Sequence, residues 1–248
     1  MPSTIEPRAR RPRRRAVMVT LAAVSCLPLA GLAAPAAKAV PAPAGGCAAV
    51  NIITARASTE APGEGITASL VTQIVNSSTQ TVSREAVVYP ATLTNYASSE
   101  SQGVANAKQE LTTAVQNCPN QKEVLLGYSQ GAEVSLDVIA GNSEVGGSAQ
   151  PVSTSISSHV VAIANFGDPG HVVDQPWDLG TSTRNGLFPR NGSELQLLSA
   201  FGGSAKIAAW CDTGDPFCAG GFSLNVHLTY LNRYQNAAAN FVLAKIGG

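Results

Sequence analysis

A serine set between two glycines constrains the fold of this chain more than any other feature. Residues 127–131 read Gly-Tyr-Ser-Gln-Gly, directly after the apolar run Val-Leu-Leu at 124–126 and before a helical pattern at 132–140. A strand, a sharp turn and a helix in that order present a serine hydroxyl outward, and the glycines leave room for the turn. The general pattern Gly-x-Ser-x-Gly also occurs in ordinary glycine-rich turns. The strand before it and the helix after it favour the interpretation of Ser129 as a nucleophile.

Strand-like and helix-like segments alternate along the chain. Short apolar, β-branched runs predict strands at 49–54, 85–89, 123–128, 159–166 and 206–210, and helical patterns lie at 66–76, 99–117, 130–141 and 227–245. Such alternation predicts a three-layer α/β/α sandwich around a central, mostly parallel five-stranded sheet. Residues 167–203 are rich in turn-forming residues and predict a long loop region near the carboxyl ends of the later strands.

The first 39 residues have the pattern of a secretory signal peptide. Six arginines precede an apolar segment at 16–34, and Ala-Lys-Ala at 37–39 fits a cleavage site before Val40. Residues 40–46 then form a linker and 47–248 one folded domain. An uncleaved anchor, a lipoprotein attachment at Cys26 and twin-arginine export remain alternatives for the leader.

The charge that remains after cleavage excludes some partners. Seven of the 16 basic residues but one of the 16 acidic ones precede Val40, which leaves nine against fifteen, a net charge of about −6. Nucleic-acid binding needs a basic face, so we expect no such partner. No later segment is apolar for long enough to span a bilayer. We expect a secreted monomer.

Four cysteines follow the leader: Cys47, Cys118, Cys211 and Cys218. An even number in an oxidising compartment predicts disulfides, and three pairings are possible. We favour Cys211–Cys218, which closes a short loop, together with Cys47–Cys118. Because the chain has no Cys-x-x-Cys pair, a zinc site is the weaker interpretation, and we expect no metal.

A serine nucleophile needs a base, and the chain has three histidines. His159 begins a predicted strand, at the end away from the active face, and His171 lies in the long loop as the second candidate. His227 follows an acidic, cysteine-bounded segment, which suits the chain order Ser, acid, His of α/β-hydrolases. We predict His227 as the base.

The orienting acid is predicted to be Asp215, inside the segment 211–218 that a disulfide would close. Asp212 and Asp168 are competitors, and a turn former before proline is the plain structural interpretation of Asp215. The backbone N–H of Gln130, at the start of the helix after the serine, is the first candidate oxyanion donor.

The motif at 127–131, the segment 211–218 and His227 together resemble the cutinase and acetylxylan esterase family of secreted serine hydrolases. The resemblance implies the same two disulfides, no cofactor, and an oxyanion loop at 55–60 in which Ser58 donates through its hydroxyl and N–H beside Gln130. The chain departs from the family at Ala57, where the cutinase branch usually has glycine.

The expected function is that of a secreted carboxylic ester hydrolase, acting through an acyl-enzyme on cutin-type polyesters and short acyl esters. Deacetylation of plant cell-wall xylan is the alternative. The segment Phe-Gly-Asp-Pro at 166–169 is similar to the acetylxylan esterase branch and favours this alternative. A further cysteine pair that is often present in that branch is missing here, which argues against it. A lipase acting at lipid interfaces and a non-catalytic exported binding protein are the remaining hypotheses.

Overall fold

A parallel sheet of six strands forms the centre of the computed structural model, which describes residues 46–247. The predicted signal peptide and all of the predicted linker except Gly46 lie outside the described residues. The strands are β1 (Val50–Ala55), β2 (Val82–Ala86), β3 (Lys122–Tyr128), β4 (Val160–Phe166), β5 (Asp178–Gly180) and β6 (Ile207–Cys211). Their spatial order is β2-β1-β3-β4-β6-β5, and every neighbouring pair is parallel.

Helices cover both faces of the sheet. They are α1 (Ala68–Ser77), α2 (Tyr96–Asn117), α3 (Gln130–Ala140), α4 (Thr154–Ser157), α5 (Gly192–Phe201), α6 (Leu224–Leu228) and α7 (Tyr230–Ile246). One core contains Leu70 of α1 and Val242 of α7, and the other contains Leu111 of α2, Val134 of α3 and Leu198 of α5. The predicted three-layer sandwich is therefore confirmed.

The sheet has one strand more than predicted. Strand β5 is three residues long and pairs only with β6 at the edge of the sheet, so it leaves no periodic apolar pattern in the sequence. It lies inside the segment 167–203 that was predicted as loop. That segment also contains α5, whose Asn191 and Glu194 form a reciprocal capping box at its start.

Several element boundaries also differ from the prediction, and two of the differences have a clear structural cause. The second strand begins at Val82 rather than Glu85, because its register is set by pairing with Val50 at the start of β1. The final helical segment is broken at Thr229, so His227 lies in the short α6 and α7 begins at Tyr230. Within residues 46–247 no helix combines the length and the apolar character needed to cross a bilayer.

Both favoured disulfides are present. Cys47 is bonded to Cys118, which joins the residues before β1 to the end of α2, and Cys211 is bonded to Cys218 after β6. The first bridge spans 71 positions and the second spans seven. Because a cross-link lowers the entropy of the unfolded chain more when its loop is longer, the first bridge should stabilise the fold more.

We therefore expect a Cys47→Ser/Cys118→Ser protein to lose roughly 2–5 kcal/mol in free energy of unfolding. Urea unfolding of the purified variant measures this loss. A Cys211→Ser/Cys218→Ser protein is the comparison, and the chain-entropy difference between the two loops makes its loss about 2 kcal/mol smaller. Equal losses would contradict the loop-length explanation.

Candidate active site

Ser129 occupies a strained turn between β3 and α3. Its backbone has φ 55° and ψ −124°, a conformation that costs a non-glycine residue roughly 1–3 kcal/mol. Two hydrogen bonds hold it there: the Ser129 N–H donates to the Phe166 carbonyl at 2.8 Å, and the Ala132 N–H donates to the Ser129 carbonyl at 2.8 Å. The serine is 8 % exposed, at the carboxyl end of the sheet. This is the elbow that the sequence predicted.

The two glycines of the motif lie where side chains have no space. A Cβ on Gly127 would lie 2.3 Å from the Gly131 carbonyl oxygen, and one on Gly131 would lie 2.0 Å from the carbonyl oxygen of Ala55 in β1. Both contacts are with backbone, which has little freedom to move aside. The glycines thus allow α3 to start directly against the ends of β1 and β3.

His227 and Asp215 are hydrogen-bonded to each other. His227 Nδ1 lies 2.7 Å from Asp215 Oδ2, and both side chains are buried. Asp215 Oδ2 also accepts from the Tyr230 hydroxyl at 2.8 Å, while Oδ1 accepts from the N–H groups of Phe217 at 2.7 Å and Cys218 at 3.1 Å. The carboxylate is therefore held by four donors, three of them from the disulfide loop and the start of α7.

The histidine ring is packed close to the serine turn. The Tyr128 hydroxyl donates to the His227 carbonyl, and the Phe217 ring lies 4.4 Å from the imidazole between centroids. The imidazole also packs against Gly167, where a Cβ would lie 2.8 Å from His227 Cε1. The residue before it, Phe166, accepts the hydrogen bond from the Ser129 N–H, so this segment contacts both the histidine and the serine turn. Within residues 46–247 the Ser129 hydroxyl makes no hydrogen bond. Catalytic hydrogen bonds of this kind often shorten only when substrate is bound.

The surroundings of Asp215 favour its ionised form. Burial alone would raise the pKa of this carboxyl group, but the hydrogen bond and charge of His227, with the N–H groups of Cys218 and Phe217, outweigh it and lower the pKa below its ordinary value. Asp215 is thus a carboxylate that accepts the Nδ1–H of His227. When Nδ1 carries the proton of a neutral imidazole, Nε2 is the acceptor atom of the ring.

The competing residues have other partners. His159 precedes β4 at the opposite end of the sheet, and His171 is buried with its Nδ1 3.5 Å from Asp178 Oδ1. Asp168 is paired with Arg190 at 2.6 Å. Asp212 accepts from Arg233 at 2.9 Å and from the Tyr234 hydroxyl at 2.9 Å. None of these four is hydrogen-bonded to His227 in the described part of the chain.

The two predicted oxyanion donors lie on either side of the serine turn. The side chain of Gln130 accepts from Ser99 Oγ at 3.1 Å and donates to the Thr92 carbonyl at 3.3 Å, which fixes the residue at the first turn of α3. Ser58 lies in the loop after β1, which Gly131 contacts through Ala55 and Arg56. Its hydroxyl oxygen is buried and has no hydrogen-bond partner among residues 46–247.

Two residues that hold the Ser58 loop, Arg56 and Glu60, were not predicted from the sequence to have this role. Glu60 accepts the Ala57 N–H and the Ile66 N–H, each at 2.7 Å, through different carboxylate oxygens. Arg56, only 3 % exposed, donates to the Glu60 carbonyl at 2.9 Å and to the Tyr89 carbonyl at 2.6 Å. The signal in the sequence was a pair of charged residues flanking Ser58 at a spacing of four.

Exposed apolar side chains flank the histidine along the chain. Phe222 is fully exposed, and Leu224 and Leu228 of α6 are each more than half exposed, at positions before and after the buried His227. The segment that carries His227 therefore presents apolar side chains to solvent.

The cutinase family model matches residues 46–246, almost the whole of the described chain. The chain belongs to the cutinase family. This confirms the resemblance inferred from the sequence motifs and the predicted enzyme class, a cutinase-like carboxylic ester hydrolase.

Relatives of this cutinase-family chain include proteins with different names. An acetylxylan esterase of Hypocrea jecorina is 31 % identical, over 81 % of this chain and 68 % of its own length. Phospholipase Culp4 of Mycobacterium tuberculosis is 30 % identical, over 93 % of this chain and 90 % of its own. A solved acetylxylan esterase structure superposes with a TM-score of 0.73 at 30 % identity, covering 82 % of this chain and all of that one.

The lowered pKa of Asp215 leads to a stability prediction. A carboxyl group whose pKa is lower in the folded state contributes stability above its unfolded pKa of about 3.9, and loses it as pH falls through the folded pKa. We expect the difference in free energy of unfolding between the protein and its Asp215→Asn variant to be constant near neutral pH and to shrink below about pH 4.

Urea unfolding measured over this range of pH tests the expectation. Asp174→Asn is the control, because Asp174 makes no side-chain hydrogen bond in the described residues. A difference for Asp215→Asn that does not change with pH, or one that grows on acidification, would contradict the assigned charge state.

Proposed function

We propose that this protein is a serine esterase in which Ser129 is the nucleophile, His227 the general base and Asp215 the residue that orients the base. One observation carries the proposal: a buried His227–Asp215 hydrogen bond of 2.7 Å lies against the strained turn that presents Ser129. A buried carboxylate held by four donors, an imidazole and a serine at an elbow are the parts that acyl transfer requires. A binding protein has no need of this combination.

The proposed reaction has two steps. Ser129 Oγ gives its proton to Nε2 of His227 and attacks the ester carbonyl, which forms a tetrahedral oxyanion. The C–O bond to the alcohol breaks, and the alcohol leaves with the proton from His227. Water then repeats the sequence on the acyl-enzyme, so that the acid is released and Ser129 is restored. Asp215 holds the Nδ1–H tautomer and stabilises the charged ring.

The oxyanion is assigned to the N–H of Gln130 and to the hydroxyl and N–H of Ser58. The first turn of α3 has free N–H groups and a positive end of the helix dipole beside Ser129. The unpartnered hydroxyl of Ser58 supports the second donor, since a buried hydroxyl without a partner loses free energy that a bound oxyanion would restore.

We also propose that the enzyme acts outside the cell as a monomer. The leader pattern of residues 1–39 and the two disulfides support export, because disulfides persist in oxidising compartments.

For the substrate, we propose esters with an apolar acyl chain, including short acyl esters and cutin-type polyesters. Exposed apolar side chains in the segment that carries His227, at Phe222, Leu224 and Leu228, support this choice, because burying their surface against an acyl chain is favourable. Acetylated xylan is the second candidate. It rests on the similarity to the acetylxylan esterase of Hypocrea jecorina.

Hydrolysis of p-nitrophenyl acetate, butyrate and palmitate, measured beside acetate release from acetylated xylan, tests the proposed reaction and substrate together. We expect butyrate to be cleaved well and xylan poorly. Ser129→Ala should lower turnover by about 10³- to 10⁶-fold without loss of fold, since only the nucleophile is removed. Ser135→Ala, which changes a buried serine of α3 away from the turn, is the matched control.

Each outcome of that assay has a definite meaning. Acetate release from xylan with weak cleavage of butyrate would replace the first substrate class by the second. Activity retained in Ser129→Ala would refute the nucleophile, and an inert, folded wild-type protein on every substrate would favour a binding role.

A second experiment tests the role of the Ser58 loop. We expect Glu60→Gln to lower kcat roughly 10- to 100-fold while KM changes little, because the glutamine amide would present an N–H₂ group to a backbone N–H and shift Ser58. Glu64→Gln is the control, since Glu64 is paired with Arg84 and does not hold Ala57. Equal losses in the two variants, or an unchanged kcat in Glu60→Gln, would remove the positioning role.

A further inference from the structure

Carboxylates outnumber the cations in one buried region behind the serine turn. Glu133 and Asp137 lie one turn apart on α3, and neither side chain is exposed. Arg190 is the buried cation beside them: it donates to Asp137 Oδ1 at 2.7 and 2.9 Å, and to Asp168 at 2.6 Å. Two further carboxylates, Glu100 of α2 and Glu144 of the short 3₁₀ turn at 143–145, complete the region. One guanidinium therefore faces five acidic groups.

Several of these carboxylate oxygens have no partner. In the described part of the chain Glu133 Oε1, Asp137 Oδ2 and both carboxylate oxygens of Glu144 are buried and accept no hydrogen bond. Ligand oxygens of Glu133, Asp137 and Glu144 lie within 4.8 Å of one another. Glu100 is also fully buried, with Oε1 unpartnered, and its carboxyl group is within hydrogen-bond reach of Asp137. Unpaired charges at such depth are too costly to leave without compensation.

We infer that Glu133, Asp137 and Glu144 form a binding site for a divalent cation of the Ca²⁺ type, with Glu100 as the fourth acidic group around it. The donor set consists of oxygens alone, which suits a hard cation and not zinc or copper. Ca²⁺ tolerates irregular geometry and completes its six to eight ligands with backbone oxygens and water, whereas Mg²⁺ demands a regular octahedron. The inference departs from the expectation, drawn from the sequence, that this domain holds no metal.

Protons compete with the cation for the same oxygens. Burial raises the pKa of Glu144 to about 7, and burial together with neighbouring carboxylates raises the pKa values of Glu133 and Asp137 well above the ordinary range. The groups that face them are Arg190 of the loop before α5, Asp168 of the loop after β4, Glu194 of α5, and Glu100 and Tyr96 of α2. Protons are therefore the alternative means of neutralising these carboxyl groups when no cation is bound.

The site ties the helix of the nucleophile to a separate segment. The Glu133 N–H donates to the Ser129 carbonyl at 3.2 Å, so the first ligand lies one turn beyond the serine, while Glu144 belongs to the turn after α3. A bound cation would join both ends of α3. It would stabilise the scaffold of the elbow and take no part in the chemistry, since its ligands point into the protein interior.

Thermal unfolding of the chelator-treated, disulfide-intact protein with added CaCl₂, and separately with MgCl₂, tests the site without any substrate. We expect Ca²⁺ to raise Tm saturably, by roughly 5–10 °C at about a hundred times Kd, and Mg²⁺ to do much less. Titration calorimetry should give one Ca²⁺ per chain.

Glu144→Gln is the decisive variant, since Glu144 is the least buried ligand and does not contact Arg190 by a hydrogen bond. It should fold, as judged by circular dichroism, and lose the Ca²⁺-dependent rise. Glu110→Gln is the matched control: Glu110 is a partly buried glutamate of α2 with an unpartnered oxygen, outside the acidic region, and its variant should keep the rise. No saturable binding by the wild-type protein, or an equal rise in Glu144→Gln, would overturn the inference and leave the region neutralised by protons.

Discussion

The turn at Ser129 is the constraint on which the rest of the site depends. Its positive φ is held because the serine N–H is hydrogen-bonded to Phe166 at the end of β4, and because Gly131 packs against Ala55 at the end of β1. A parallel sheet makes this possible, since the carboxyl ends of β1, β3 and β4 meet at one edge. The Ser129 turn, the Gln130 N–H and the Ser58 loop are thereby positioned together.

The buried Asp215 and the buried carboxyl groups around Arg190 differ in how many hydrogen-bond donors surround them, and their pKa values shift in opposite directions. Asp215 is enclosed by four hydrogen-bond donors, which offset the loss of its hydration and lower its pKa. Around Arg190 the carboxylates exceed the donors, and the pKa values of Glu133 and Asp137 rise. The first arrangement suits a permanently charged residue that orients an imidazole. The second requires an added positive charge, from protons or from a cation.

Long, strongly patterned elements were predicted well, and short edge elements were not. The apolar runs that became β3 and β4 are buried on both faces, so composition alone marks them as strands. Strand β5 has three residues and one neighbour, and helix α5 is marked chiefly by its cap at Asn191. The start of β2 depends on its register with β1, a contact between residues about 30 positions apart that local pattern does not reveal.

The sequence by itself determined the features that depend on neighbouring residues or on a short choice: the turn at Ser129, and His227 and Asp215 as candidates from three histidines and a short acidic segment. It favoured the two disulfides but left three pairings possible, and the folded chain decided between them. Only the tertiary structure decided which groups those residues contact. The Arg56 bond to Tyr89 joins residues 33 positions apart, and the Arg190 bond to Asp137 joins residues 53 apart. Burial and charge balance arise from such distant contacts, so they follow from the folded chain and not from local pattern.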